Sequence, residues 1–262
     1  MRDKKTLLDK MARDQEERLL FSRVLDQAER CERRQIPTHS FFLSPAERVA
    51  AESLLRAAEA PRHVFSGGYA EAERTLCLFL PDWMEEEDAE AELQLLRAKC
   101  FEENVLGHRD VLGSLMGLGV SREKLGDILI FPDGCDLVIL PEIADFLMNN
   151  WESAGRVHLR KELLPMEELR VPVREVKRIQ DTVAAPRLDA VLGVGFSLSR
   201  SRAAELIAAG RVQLNHRDWL KGDKTVGEGD IISCRGLGKC RVAELGGLSK
   251  KGRLRITVER FI

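Results

Sequence analysis

The stretch Ile128-Leu-Ile-Phe131, Pro132-Asp-Gly134, Asp136-Leu-Val-Ile-Leu140 constrains the fold of this 262-residue chain more than any other. Two short apolar runs separated by Pro-Asp-Gly are a hairpin signal, because glycine takes the positive φ that a tight turn needs. Antiparallel β-structure therefore belongs in the middle of the chain. Around it, the apolar run from Arg74 to Leu80, closed by Pro81, the segment from Leu93 to Phe101 and the segment near Arg156 to Leu163 are expected as strands. Two helices interrupt them, one after His108 and one from Glu142 to about Asn150, whose Ile143, Leu147 and Trp151 recur every fourth position. Four or five strands with two helices make an α+β sandwich of about 100 residues.

Before this region the chain is helical. Phe21, Val24, Leu25 and Ala28 repeat at helical spacing within the charged segment from Lys4 to Arg33, which predicts one or two amphipathic helices with a buried stripe. Ser44-Pro45-Ala46-Glu47 supplies a cap, a proline at the first helical position and a glutamate three residues after the cap, so a helix should run to about Ala58. The acidic run Glu85-Glu86-Glu87-Asp88 reads as solvated surface.

His108-Arg109-Asp110 has the look of a kinase catalytic loop, but Leu115 stands where a metal-binding asparagine is required and no glycine-rich loop precedes it. Val111, Leu112, Leu115 and Met116 instead mark a buried helical stripe that Gly119 can end, with Asp110 in the first turn where the dipole favours it. Phe79, Phe101 and Phe131 read as core residues rather than as rings for base stacking. The five histidines are scattered, and the six cysteines include no Cys-x-x-Cys pair, so neither structural zinc nor any other metal or cofactor is expected. No apolar stretch is long enough to span a membrane and the N-terminal run is charged, which points to a cytoplasmic chain with reduced thiols.

The net charge of −2 conceals an asymmetry: residues 184–262 hold 15 Lys/Arg against 8 Asp/Glu, and the first 183 residues hold 26 against 35. An anionic partner is therefore sought in the last third. After an extended linker over 165–182, Leu188, Val191 and Leu192 begin a short helix that Gly193 and Gly195 weaken and end. A second helix opens at Ser199-Arg200-Ser201-Arg202 and stops at Gly210. Cations in a first helical turn oppose the helix dipole, whereas a bound phosphate reverses that sign, since free N–H groups, hydroxyls and guanidiniums then converge on it. Solvent-exposed arginines are the plain alternative. A strand at Val212–Asn215, Lys221, Lys224, the Gly227–Asp230 turn, a strand at Ile231–Cys234, and Lys239, Arg241, Lys250, Lys251, Arg253 and Arg255 follow.

The run from Arg187 to Gly236, "RLDAVLGVGFSLSRSRAAELIAAGRVQLNHRDWLKGDKTVGEGDIISCRG", resembles an S4 domain, a small αL-type RNA-binding fold. The matched parts are Arg187-Leu-Asp189, the Ser-Arg-Ser-Arg helix start, Ala208 to Val212, Asn215 and Glu228-Gly229-Asp230. The resemblance implies RNA contacts by Arg200, Ser201, Arg202, Arg211 and Lys221, with Arg187, Ser199, Asn215, Lys224, Lys239 and Arg241 completing the expected face. The stretch from Gly107 to Ile128, the strand after the hairpin and Leu248 to Arg255 are together similar to the YlmH family. That resemblance implies an N-terminal helical region at 1–62, an RRM-like domain at 63–164, the linker, and an S4 domain with a strand extension at 183–262. It further implies a monomer that binds rRNA and tRNA on large ribosomal subunits carrying stalled peptidyl-tRNA, in ribosome-associated quality control. A ribosome assembly or translation regulatory factor remains the alternative. No enzyme is expected: only a short tail follows the S4-like part, where a pseudouridine synthase places its catalytic domain, and neither synthetase nucleotide motifs nor a glycine-rich cofactor turn occur.

Overall fold

The computed structural model describes residues 4–89, 91–100, 106–173 and 175–262, which form two compact units, 1–172 and 173–262. The first begins with α1 (Lys4–Met11) and α2 (Gln15–Arg34). Asp14 caps α2 by accepting from the Glu17 amide, and Phe21, Val24, Leu25, Ala28 and Cys31 form its buried stripe. The short β1 (Thr38–His39) leads to α3 (Pro45–Ala58), whose capping box is complete: the Ser44 amide donates to Glu47 Oε2 at 2.6 Å and the Glu47 amide to Ser44 Oγ. Strands β2 (His63–Ser66) and β3 (Leu76–Phe79) pair with each other and with β1 in the order β1-β3-β2. Leu25, Leu54, Leu55, Cys77 and Phe79 bury one face of this sheet against the helices; each such side chain stabilises by roughly 1.5–3 kcal/mol.

The strand around 76–79 thus belongs with the N-terminal helices, not with the middle sheet to which the sequence pattern assigns it. Its inward residues match the apolar faces of α2 and α3, a tertiary choice that an apolar run alone does not reveal.

The middle sheet contains β4 (Gln94–Cys100), β5 (Leu125–Phe131), β6 (Gly134–Ile139), β7 (Ser153–Ala154) and β8 (Val157–Leu164), all antiparallel, in the order β5-β6-β4-β8-β7. Helices α4 (His108–Gly117) and α5 (Ala144–Asn150) lie between β4 and β5 and between β6 and β7 in sequence. Without the short β7 this is the βαββαβ order and strand arrangement of an RRM-like fold. Leu96, Leu115, Leu137, Leu147 and Trp151 fill the core between sheet and helices, and Trp151 Nε1 donates to Ser114 Oγ at 2.8 Å. In α4, Asp110 accepts from the Gly107 amide and Val111 and Leu115 are buried, but Met116 is 47% exposed, so the apolar stripe is narrower than expected. Phe131 pairs directly with Gly134, which makes Pro132-Asp133 the whole turn and places the glycine inside β6. Gly134 is required for another reason: at φ +143°, a Cβ there would lie 2.0 Å from the Ala98 carbonyl oxygen of β4.

In an RRM-like fold the side of the sheet away from the helices is the usual nucleic-acid face. Here residues 166–170 cover it. Asp136, fully buried, accepts two bonds from Arg97 and three from Arg170, while Arg97 also donates to the Glu168 carbonyl. Met166 and Leu169 pack on Val138 and Leu140 beside Phe42 and Leu76. Phe131 is half-buried with the Arg170 guanidinium 4.2 Å from its ring centre, a covered surface ring and not the core residue expected; Phe79 is core, and Phe101 lies outside the described residues.

The second unit is a six-stranded antiparallel sheet with two helices. In chain order it has β9 (Val176–Val183), α6 (Leu188–Phe196), α7 (Arg200–Ala208), β10 (Val212–Leu214), β11 (Arg217–Asp218), β12 (Ile231–Cys234), β13 (Gly238–Leu248) and β14 (Leu254–Phe261). The sheet order is β11-β10-β12-β13-β14-β9. Residues 176–182 of the expected linker are therefore part of the edge strand β9, which pairs with β14 at eight positions and buries Val183 in the core while most of its other residues stay solvated. Leu188, Val191, Ile207, Val212, Ile232 and Val258 contribute to the core. Gly193 and Gly195 do not end α6, which runs on to a left-handed Ser197 at φ 55°. A Cβ on Gly195 would lie 2.8 Å from Cys240 Sγ, so this glycine permits close approach of helix to sheet.

Candidate nucleic-acid interface

The expected contact residues divide between two sides of the second unit. Side chains alternate along a strand, and the buried Cys240 and Val242 of β13 face α6 and α7. Lys239 and Arg241 therefore point away from the helices, and the structure does not bring them together with the helix-start cations.

On the helix side the organiser is Asp189, which the sequence reading did not single out as a site residue. It is 7% exposed and accepts a fork from Arg187, 3.1 Å from Nε to Oδ1 and 2.9 Å from Nη2 to Oδ2. Arg200 Nη2 approaches Oδ2 at 3.4 Å from the first turn of α7. Burial alone would raise the Asp189 pKa, but the Arg187 fork and the charges of Arg187 and Arg200 outweigh it and hold the carboxyl below its usual range. The loop carrying Lys221 and Lys224 is fastened to the same place. The Asp189 amide donates to the Gly222 carbonyl at 3.1 Å and the Leu188 amide to the Lys224 carbonyl at 2.8 Å. Gly222 is needed there, since its Cβ would lie 2.8 Å from Asp189 Cβ. The sequence signal for this device was the Arg187-Leu-Asp189 spacing, whose meaning depends on the turn entering α6.

Each remaining residue has a defined place. Ser199 caps α7, its Oγ accepting from the Arg202 amide at 3.2 Å and lying 3.1 Å from Ser201 Oγ. Arg202 is exposed and pairs with Glu205 one turn on at 2.8 Å, a surface contact worth little. Arg211 donates to the Arg235 carbonyl at 2.8 Å, which positions its guanidinium beside the β12–β13 turn. Asn215 is spent on the fold: at φ 48° in the β10–β11 turn it donates to Asp230 at 2.8 Å and accepts from the Ile231 amide at 2.9 Å. Lys224 Nζ lies 5.0 Å from the centre of the Trp219 ring, and Lys221 is exposed.

The Arg187 and Arg200 guanidiniums, the first turn of α7 and the backbone of the loop carrying Lys221 meet at Asp189, an arrangement of cations and N–H groups that suits an anion. Burial pushes the Cys135 and Cys240 thiols up to about 12 and also raises that of Cys77, as expected of core thiols. Among the described residues no group of three or more His, Cys, Asp or Glu is placed to hold a metal ion, and no helix is long and apolar enough to cross a membrane.

Three family models match the chain: "YlmH, N-terminal" over residues 16–79, "Putative RNA-binding domain in YlmH" over 86–168, and "S4 domain" over 186–232. The chain is 33% identical over 220 residues to the Bacillus subtilis (strain 168) "Ribosome-associated protein quality control protein P2", covering 84% of this chain and 85% of that one. A solved structure, "Cell division protein ylmH from Streptococcus pneumoniae", superposes with a TM-score of 0.52 at 18% identity over 62% of this chain and 98% of that one, a likeness of fold.

Proposed function

The chain belongs to the YlmH family, and from that membership we propose that it binds rRNA and tRNA on the large ribosomal subunit through the helix side of its S4 domain, in ribosome-associated quality control of stalled peptidyl-tRNA. The observation that carries this reading is the Asp189 junction, which fixes Arg187, the first turn of α7 and the Lys221 loop in one place within the S4 match. The printed name of the Bacillus subtilis relative supports the ribosomal setting. Arg200, Ser201, Arg202, Arg211 and Lys221 are the proposed phosphate contacts, while Arg187, Ser199 and Asn215 hold the surface in shape. The middle sheet is given no RNA role in this reading, because residues 166–170 lie over its open face. No catalytic step is assigned to the chain.

Salt dependence tests the contacts. If about five cations each neutralise one phosphate, log affinity for structured RNA falls with log salt at a slope of about −3.5 to −4.5. Arg200→Ala with Arg202→Ala should flatten that slope by about one to two units; an unchanged slope rejects the α7 site. Sedimentation of the native protein with large subunits bearing peptidyl-tRNA supports the quality-control setting, and sedimentation with immature precursors favours an assembly factor instead.

A further inference from the structure

We propose that the side of the C-terminal sheet facing away from α6 and α7, continued by the tip of the β13–β14 hairpin, is a second RNA surface that holds the phosphate backbone of double-helical RNA. This rests on the RNA-binding reading above and adds to it a surface outside the S4 match, which ends at residue 232.

Strand register assembles the surface. Arg241 pairs with Glu259, and Glu259 pairs with Arg178, so one row across β13, β14 and β9 reads Arg-Glu-Arg on the side away from the helices. Glu259 is 8% exposed and serves as a fixed post: Arg241 Nη2 meets Oε2 at 2.7 Å and Arg178 Nε meets Oε1 at 3.3 Å. One buried carboxylate thus orients two exposed guanidiniums and leaves the row with a net positive charge and free donors pointing outward. Further along the hairpin, Arg255 pairs with Thr182 in register and is exposed, and Arg253 donates through Nε to Thr182 Oγ1 at 3.0 Å. The turn at Ser249–Gly252 presents Lys250 and Lys251 to solvent.

The chemistry of this strip favours one occupant. From Arg241 to Lys251 the strands cover roughly 25 Å at about 3.3 Å per residue, allowing for the bulges, enough to follow several successive phosphates. The bulged segment includes Gly246 and Gly247, which with Gln180, Asp181, Thr182, Glu244 and Arg255 line a shallow groove; its two carboxylates leave the phosphates to the Arg241–Arg178 row at one end and to Arg253, Arg255, Lys250 and Lys251 at the other. Phe261, half-buried, ends β14 on this side beyond Glu259, and no aromatic side chain occurs in residues 176–183 or 241–260, so nothing between Arg241 and Lys251 stacks on unpaired bases. Cations without rings read the shape of a duplex, not the sequence of a single strand. An apolar protein partner fits poorly, because the strip's exposed groups are charged or polar apart from Leu248 and, at the far end of β9, Val176.

The test uses the full chain and a labelled 20-base-pair RNA duplex of mixed sequence, titrated at several salt concentrations. Lys250→Ala, Lys251→Ala and Arg255→Ala together should flatten the log-affinity slope by about two to three units, and the charge-conserving set K250R, K251R, R255K should restore it. If the alanine set leaves slope and affinity unchanged while R200A/R202A flattens the slope, the second surface is wrong and the S4 reading stands. The reverse pattern keeps the second surface and overturns the α7 site. Wild-type protein that binds neither duplex nor structured RNA removes both.

Discussion

Asp136 and Asp189 do the same work in different units: each is a buried carboxylate that gathers two arginines, and each stays ionised because those arginines outweigh its burial. For Asp136 the consequence is a pH dependence. Its folded pKa is lowered, so the stability it contributes is fully present above the unfolded value of about 3.9 and is lost as pH falls through the folded value. Unfolding followed by denaturant should therefore show the first unit weakening below about pH 4. Asp136→Asn should lose about 3 kcal/mol at pH 7, since Arg97 and Arg170 are left uncompensated, and should flatten the acid limb; an acid limb as steep as in wild type rejects the assignment. Ser199 separates capping from binding. Ser199→Asp retains a good cap and should leave stability within about 0.5 kcal/mol, while its carboxylate at the phosphate site should weaken structured-RNA binding by about tenfold. Intact affinity in that variant means that no phosphate sits at the start of α7. Arg200 and Arg202 were legible as a cationic helix start, whereas the role of Asp189 was not, because a carboxylate two residues from an arginine forms a fork only when the turn into α6 folds it back.

Glycines show where element-level reading succeeds and where it stops. The hairpin around Gly134 and the capping box before α3 were legible, because both are local and need no partner strand. The reason for Gly134 was not, since it depends on the β4 carbonyl that lies 2.0 Å from the missing Cβ. Gly193 and Gly195 look alike in sequence as helix breakers, yet α6 passes through both. Gly195→Ala should cost about 1–3 kcal/mol by overpacking against Cys240. Gly193→Ala should be nearly neutral, because the usual gain of up to about 1 kcal/mol for alanine in a helix offsets a tight contact with the Leu198 carbonyl. Denaturant midpoints that fall equally for both would show that helix propensity, not the approach of α6 to β13, sets the requirement. The same distinction explains β3: an apolar run announces a strand, but only the opposing faces of α2 and α3 decide which sheet it joins.

At the scale of the molecule, the charge asymmetry legible in the sequence coincides with the second unit, but the border of that unit was not legible. Residues 176–183 are mostly polar, as in a solvated linker, and their partner β14 lies more than seventy positions later in the chain. Pairing over such a separation leaves no local signature, only a polar composition that a linker can share. The border decides how an RNA-binding fragment has to be cut. A fragment of residues 173–262 retains β9 and every core residue of the unit from Val183 onward. A fragment of 184–262 loses β9, which pairs with β14 at eight positions from Val176 to Val183, and exposes the edge of β14. At about 0.5–1.5 kcal/mol net for each ladder hydrogen bond, together with the lost burial of Val183, the shorter fragment should be several kcal/mol less stable and prone to edge-to-edge association. It also lacks Arg178, so its duplex-RNA salt slope should be shallower by about one unit even where it remains folded. Thermal melting, gel filtration and salt titration of the two fragments measure these effects separately. Equal melting temperatures and equal slopes would mean that β9 is a tether lying on the sheet, and that the second RNA surface ends at β14.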